Sequence, residues 1–190
     1  MTNDMPRSTS AEWGNLLDRL LPANELTQML SDPADVLLQR ELYRCVMHSF
    51  KQAYDLRIAI DVNFPIWVDG WNYPGASHAA NPDMVYRLTM LQDHGTYRLW
   101  GRRGTTRAFV VQIGSAFVNG PIEGNSKPLD HFDIDSLTLG PNGEFEVLLS
   151  PQRPADWRGD WRALKPDSTF AYSRIVTCDW ENEAQGEIHI

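Results

Sequence analysis

The sequence predicts an α+β protein, in which N-terminal amphipathic helices pack on an antiparallel β-sandwich of jelly-roll type. Two observations lead to this prediction. Apolar residues first recur every three to four positions, as on one face of a helix, and later every second position, as in half-buried strands. Turn residues also separate about seven short strand candidates, a spacing that is typical of sandwiches and jelly rolls.

The change of period divides the chain into two segments. Residues 1–62 form the predicted helical segment and residues 63–190 the predicted β-sandwich domain, which we expect to be incomplete at its C-terminus. A terminal strand carrying Ile188 and Ile190 would expose backbone donors and apolar side chains. We therefore expect this strand to pair within a homo-oligomer, or with a second β-rich domain of a protein that continues past Ile190.

Two helices are predicted in the first segment. The first has one apolar stripe that ends at Pro22, and the second begins after a cap and proline at residues 31–33. We expect the second helix to continue to about Asp61, although residues 56–62 also alternate as a strand would. The stripes consist of Trp13, Leu16, Leu17, Leu20 and Leu21 in the first helix, and of Val36, Tyr43, Met47, Phe50 and Tyr54 in the second.

The second segment begins with an aromatic loop and continues with strands. Prolines and glycines interrupt residues 63–83, where we expect an ordered loop whose rings, Trp67, Trp71 and Tyr73, cover the core or stack on a flat ligand such as a sugar. A Gly-Pro-Asn-Gly sequence at residues 140–143 predicts a hairpin turn. The strand candidates are residues 84–91, 96–100, 105–113, 132–139, 144–149, 170–176 and 186–190.

Charge and composition exclude several classes of function. A net charge of -8 has the wrong sign for a general nucleic-acid binder. No apolar run approaches the roughly 18 residues that a membrane span needs, and the polar first ten residues lack a signal core. Cys45 and Cys178 lie far apart and are predicted to be reduced thiols. We therefore expect a cytoplasmic protein with no membrane and no nucleic-acid partner.

The predicted ligand site lies where positive charge interrupts the acidic background. Arg98, Trp100 and Arg102 alternate, so a strand would place all three on one face. A ring between two guanidinium groups suits a small organic anion, through stacking and bidentate hydrogen bonds. Trp67 and Trp71 of the aromatic loop complete the predicted ligand-binding set. The alternative is that the four arginines of this stretch pair with nearby acids such as Asp93 or Asp133 and only keep the sheet soluble; they are Arg98, Arg102, Arg103 and Arg107.

Catalytic and metal-binding motifs are weak. Ser77-His78 near Asp83 has the residue types of a catalytic triad, but no nucleophile elbow accompanies it, and the catalytic residues stay unknown. His131, Asp133 and Asp135 alternate and would share one strand face, where a solvated acidic surface is the simpler interpretation. We predict no metal and no cofactor.

Several short stretches occur in an order that is similar to one group of bacterial proteins. They are Asn81-Pro82-Asp83 with Tyr86, Thr96-Tyr97-Arg98-Leu99, Gly101-Arg102-Arg103-Gly104, the run from Asn142 to Pro151, Trp161 with Leu164, and Asp179-Trp180. Over about residues 64–190, and more loosely before them, the chain resembles uncharacterised bacterial proteins that carry the domain of unknown function numbered twelve-fourteen. The resemblance implies a jelly-roll β-sandwich, usually followed by a second β-rich region, and implies no particular chemistry.

Three functions follow as hypotheses. The first is an uncharacterised domain that binds a small amphipathic or anionic organic ligand. The second is an enzyme of lipid or aromatic metabolism with its site between helices and sheet. The third is a purely structural or interaction domain. A cleft lined by tryptophan and arginine, with a histidine or aspartate whose pKa is shifted, would favour the enzyme. A filled interior would favour the structural domain.

Overall fold

The computed structural model describes residues 9–23, 25, 35–70, 81–115 and 127–190. The chain divides into two compact units, Met1–Phe50 and Lys51–Ile190. This boundary falls inside the second helix, earlier than the predicted boundary after Val62.

Helices occupy the start of the chain, as predicted. They are α1, Thr9–Leu20, and α2, Val36–Tyr54. Asp35 caps α2, because its Oδ1 accepts a hydrogen bond from the Leu38 N–H at 2.9 Å; the predicted cap at residues 31–33 lies outside the described residues. No side chain of α2 is buried, and the packing of the helices on the sandwich stays a prediction.

The chain continues after α2 as a single π-helical turn, Asp55–Ala59. The helical interpretation of this ambiguous stretch is therefore correct. Leu56 and Ile60 lie four residues apart and are buried in a cluster with Leu88, while Ile58, which a strand would bury with them, is 72% exposed. Because a helical spacing of four is also a multiple of two, the apolar residues at positions 56–62 can be mistaken for the alternation of a strand.

Two sheets form the body of the second unit. The first has the order β1-β2-β8-β4-β5 and the second the order β7-β6-β3-β9. All neighbouring strands are antiparallel except β6 and β7, which are parallel. The prediction of a wholly antiparallel sandwich is therefore wrong for this one pair. The strands are β1 Val68–Asp69, β2 Met84–Met90, β3 Tyr97–Arg102, β4 Ala108–Ser115, β5 Lys127–Asp133, β6 Glu144–Ser150, β7 Asp160–Ala163, β8 Phe170–Val176 and β9 Glu187–His189.

Residues of both sheets form one hydrophobic core. Leu99 and Val147 of the four-stranded sheet and Phe109 and Val111 of the five-stranded sheet are completely buried in the same cluster. Phe109 also contacts Phe145 edge-on, with ring centroids 5.8 Å apart. The protein is thus α+β with a sheet-rich body, and jelly-roll connectivity stays a prediction.

The hairpin predicted around residues 140–143 is wrong. Strand β5 already ends at Asp133 and is followed by a 3₁₀ turn, Ile134–Ser136. The turn itself forms, with Gly143 at φ 78°, but the Gly143 carbonyl accepts the Arg103 N–H at 2.8 Å. This hydrogen bond continues the pairing of β6 with β3. The partner of β6 is therefore a strand distant in sequence, and not β5, which comes just before it.

Strand β9 lies at the edge of the four-stranded sheet, beside β3. Ile188 packs against the core, whereas Glu187 and His189 are exposed. Gly101 permits this pairing, because a Cβ at that position would lie 2.0 Å from the Glu187 carbonyl oxygen. Whether a second chain or domain pairs with β9 stays a prediction.

Candidate functional site

Strand β3 presents the predicted ligand-binding side chains on one face. Tyr97 and Leu99 are 7% and 0% exposed and point into the core, whereas Arg98 and Arg102 are exposed. Trp100 stands between the two arginines and is 43% exposed. The structure therefore brings Arg98, Trp100 and Arg102 together, as the period of two requires.

A groove of about 480 Å³ opens over this face, and we call it the Trp100 groove. Strand β6 supplies neighbouring side chains on the same sheet face, because Glu146 is paired with Trp100 and Glu144 with Arg102. The start of β7 closes one end with Asp160. The groove is lined by Arg98, Trp100, Gly101, Arg102, Thr138, Glu144, Phe145, Glu146, Gly159, Asp160 and Glu187.

Two neighbouring side chains contact the indole of Trp100. The His189 imidazole stacks on it, with ring centroids 4.2 Å apart and planes 21° from parallel. The Arg98 guanidinium lies 5.9 Å from the indole centroid, within the range of a cation–π contact. These contacts fix the ring while leaving part of its surface open to solvent.

Carboxylates outnumber guanidinium groups on the groove walls. Four carboxylates, those of Glu144, Glu146, Asp160 and Glu187, face two guanidinium groups, those of Arg98 and Arg102. Arg98 pairs with Glu146. Hydrogen bonds from Asn142, with a smaller contribution from the Arg102 charge, hold the pKa of Glu144 below its ordinary value. The groove is therefore a mixed polar surface with excess negative charge.

Neither acid named as a possible partner forms an ion pair with Arg98 or Arg102 among the described residues, although the charge of Asp133 helps to raise the pKa of Arg103. Asp93 accepts the Asp167 N–H at 3.0 Å, and Asp133 accepts the Asp135 N–H at 2.9 Å. Arg98 pairs instead with an acid of the neighbouring strand, Glu146. Sequence proximity failed here because cross-strand register, and not distance along the chain, decides which charges meet.

The four arginines of residues 98–107 do not form one site. Arg103 is only 8% exposed. Its Nε and Nη2 donate to the two carboxylate oxygens of Asp135 at 2.6 and 3.0 Å, and its Nη1 donates to the Thr106 carbonyl at 2.9 Å. Arg103 therefore has a structural role, while Arg107 is exposed outside the Trp100 groove.

A second cavity, of about 600 Å³, opens between the edges of the two sheets, and we call it the inter-sheet cavity. Trp67 and Trp100 line the same cavity, although they are far apart in sequence. Trp71 lies outside the described residues. The lining consists of Pro65, Ile66, Trp67, Val85, Arg87, Trp100, Ile175, Trp180, Gln185, Gly186, Glu187, Ile188, His189 and Ile190.

The weak catalytic and metal motifs gain no support. Ser77 and His78 lie outside the described residues. Within the described ranges, no three histidine, cysteine, aspartate or glutamate side chains cluster as metal ligands would. Asp133 caps the 3₁₀ turn and Asp135 binds Arg103, so neither carboxylate faces a shared site with His131. Cys45 and Cys178 are both exposed free thiols.

Sequence reasoning missed His189, Glu144 and Glu146, which surround Trp100. The two glutamates alternate in β6, so the period of two places them on one face, but only the register shows that this face adjoins β3. His189 lies directly across from Trp100 on the other side. No local signal in the sequence indicates that pairing.

Comparison with known proteins supports the fold and leaves the function open. No family model matches the chain, and no curated protein matches it. A crystal structure of an uncharacterised protein from Burkholderia cenocepacia is similar, with a TM-score of 0.78 and 23% identity over 93% of this chain. The chain spans about half of that protein, 48% of its length. Among the described residues, no helix combines the length and the apolar character that crossing a membrane requires.

Proposed function

We propose that the β-sandwich unit is a binding domain for a small amphipathic organic ligand that stacks on Trp100. The observation that carries the proposal is a half-exposed indole in a groove of about 480 Å³, with guanidinium groups on both sides along β3. Ligand sites commonly combine an apolar platform with a few polar groups that fix orientation. Here Trp100 is the platform, and the arginines and carboxylates are the polar groups.

The charge of the groove favours the amphipathic ligand over a simple anion. An organic anion would approach Arg98 and Arg102 but would also meet four carboxylates, one of which already pairs with Arg98. A neutral ring with several hydroxyl groups can accept from the guanidinium groups and donate to the carboxylates. A pyranose sugar has this character, with an apolar ring face and hydroxyl groups at its edge.

Three further expectations belong to this proposal. The motif order of residues 81–180 supports membership in the bacterial family that the chain resembles, and jelly-roll connectivity would follow from that membership. The expected cytoplasmic location is supported by Cys45 and Cys178, which form no disulfide in the described residues. Mass spectrometry of the protein purified from its source would test the family assignment, by showing whether the chain continues past residue 190, where members of that family usually have a second β-rich region.

The ligand is tested by titrating the protein with cellobiose and maltose while recording the indole N–H resonances of its tryptophans. We expect a saturable shift of the Trp100 resonance, assigned with Trp100→Phe. The variant Arg102→Gln, which removes one donor from the groove wall, should weaken binding by about tenfold, the effect of losing one charge-assisted hydrogen bond.

Arg107→Gln is the matched control, because Arg107 is exposed on the same stretch of chain but lies outside the groove. It should bind as the parent does. Glucuronate, the anionic counterpart, should bind no more tightly than the neutral sugars. Saturable binding of anions only, or equal losses in Arg102→Gln and Arg107→Gln, would contradict the proposal.

A further inference from the structure

We propose that the Trp100 groove and the inter-sheet cavity form one cleft, which takes a glycoside with an apolar aglycone. The sugar ring stacks on Trp100 in the groove, and the apolar aglycone, such as an alkyl chain, lies in the cavity. This inference rests on the proposed function and adds to it the class of ligand. Its support comes from the side chains that the two spaces share, from the position of β9 and from the apolar walls beyond it.

The groove and the cavity meet at one pair of stacked rings. Trp100 and Glu187 line both spaces. His189, which stacks on Trp100, lines the cavity but not the groove. The two rings therefore lie at the junction, and a ligand that contacts Trp100 from the groove borders the cavity as well.

Only strand β9 lies between Trp100 and the edge of its sheet. This strand is three residues long and is the last strand of the four-stranded sheet. Its Glu187 and His189 are paired with Arg102 and Trp100, so their side chains share the sheet face of the groove. One inter-strand spacing is about 5 Å, a distance that a short alkyl chain spans.

The polar side chains of the cavity are either at the junction or already bonded within the protein. Apart from the tryptophans, the described lining contains four polar side chains. Glu187 and His189 are the two at the junction. Arg87 forms an ion pair, and Gln185 donates a hydrogen bond of 2.6 Å to a threonine hydroxyl. The part of the cavity away from Trp100 therefore favours an apolar group over a polar one.

Beyond the junction the walls are largely aliphatic and aromatic. Val85, Ile175 and Ile188 reach the cavity from β2, β8 and β9. Ile66 and Trp180 also line it, although they are 51% and 52% exposed. Exposed apolar side chains that gather at a cavity indicate a binding surface. An alkyl chain would cover these side chains and gain apolar burial with each methylene.

The probes are methyl, propyl and hexyl β-maltoside, used far below the concentrations at which they form micelles. Calorimetric titration of the unmodified protein should show an affinity that rises about twofold with each added methylene, half of the free energy of full burial. All three probes should shift the indole N–H resonance of Trp100. The hexyl compound should in addition shift the resonance of Trp180, assigned with Trp180→Phe.

The variant Ile66→Gln places a polar side chain of similar size in the cavity. It should weaken binding of hexyl maltoside about threefold and leave binding of methyl maltoside unchanged. Ile58→Gln is the matched control, because Ile58 is also exposed but lines neither the groove nor the cavity.

The outcomes separate this inference from the proposed function. Equal affinities of methyl and hexyl maltoside, with the Trp100 resonance still shifted, would overturn the inference and leave the proposed function intact. Equal losses in Ile66→Gln and Ile58→Gln would also overturn it. If none of the three maltosides shifts the Trp100 resonance, both proposals are wrong.

Discussion

The indole of Trp100 and the imidazole of His189 stack at 4.2 Å across the pairing of β3 with the edge strand β9. This contact joins the centre of the candidate site to a three-residue strand near the end of the chain. The shape of the Trp100 groove therefore depends on β9 remaining paired. Two predictions follow from this dependence, and the others concern the rest of the sandwich.

The first prediction is an energetic coupling between Trp100 and His189. In a double-mutant cycle with Trp100→Ala and His189→Ala, the two changes should be non-additive by about 0.5–1 kcal/mol, as for other stacked rings. Urea denaturation of the four proteins measures the coupling. Strictly additive losses would show that the rings do not stabilise one another.

The second prediction concerns the glycine between Trp100 and Arg102. Gly101→Ala should displace β9, because the added Cβ would lie 2.0 Å from the Glu187 backbone oxygen. Hydrogen exchange of residues 187–189 should become markedly faster while exchange in β4 and β8 stays slow. Gly14→Ala, in the helix α1 where an added Cβ meets nothing within 4 Å, is the control. Unchanged protection of β9 in Gly101→Ala would disprove the close pairing.

The third prediction concerns the bidentate pair of Arg103 and Asp135. Arg103→Gln should lower the free energy of unfolding by about 1–3 kcal/mol, because it removes charge-assisted hydrogen bonds at a largely buried side chain. Arg107→Gln, at an exposed position, should change it by less than about 0.5 kcal/mol. Equal effects of the two substitutions would show that the Arg103 contacts do not contribute to the free energy of unfolding.

The same pair predicts a pH dependence. The Arg103 hydrogen bond holds the pKa of Asp135 below its ordinary value of 3.8. A carboxyl whose pKa is lowered on folding stabilises the protein fully above its unfolded-state pKa, and this contribution is lost as pH falls through the folded-state pKa. The stability difference between the parent and Asp135→Asn should therefore shrink as the pH falls below about 4. A stability difference between the two proteins that stays constant down to pH 2 would show that ionised Asp135 does not stabilise the fold.

The fourth prediction concerns Asp167, which has a φ of 68° in the left-handed region. Asp167→Gly should raise stability by up to about 1 kcal/mol, since glycine adopts this conformation without steric cost. The backbone N–H that binds Asp93 is retained in this variant. Asp167→Val should instead lower the melting temperature, because a β-branched residue is strained there. Identical melting temperatures for the two variants would contradict the left-handed backbone conformation of Asp167.

Local periodicity by itself determined much of this protein. The change from a spacing of three to four to a spacing of two located the helices and most strands, because each period reports which residues of one element share a face. For the same reason it placed Arg98, Trp100 and Arg102 together on the outer side of β3. Those inferences needed only the geometry of a single strand or helix.

Only the tertiary structure decided which elements became neighbours. The turn at residues 140–143 predicted a hairpin, yet β6 pairs with β3, because the alternation within a strand carries no information about its partner. His189 and Glu146 reach Trp100 through such long-range pairings, and Trp67 reaches the cavity shared with Trp100 through the packing of the two sheets. Register and packing are set by the summed burial of many distant side chains, which no short stretch of sequence contains.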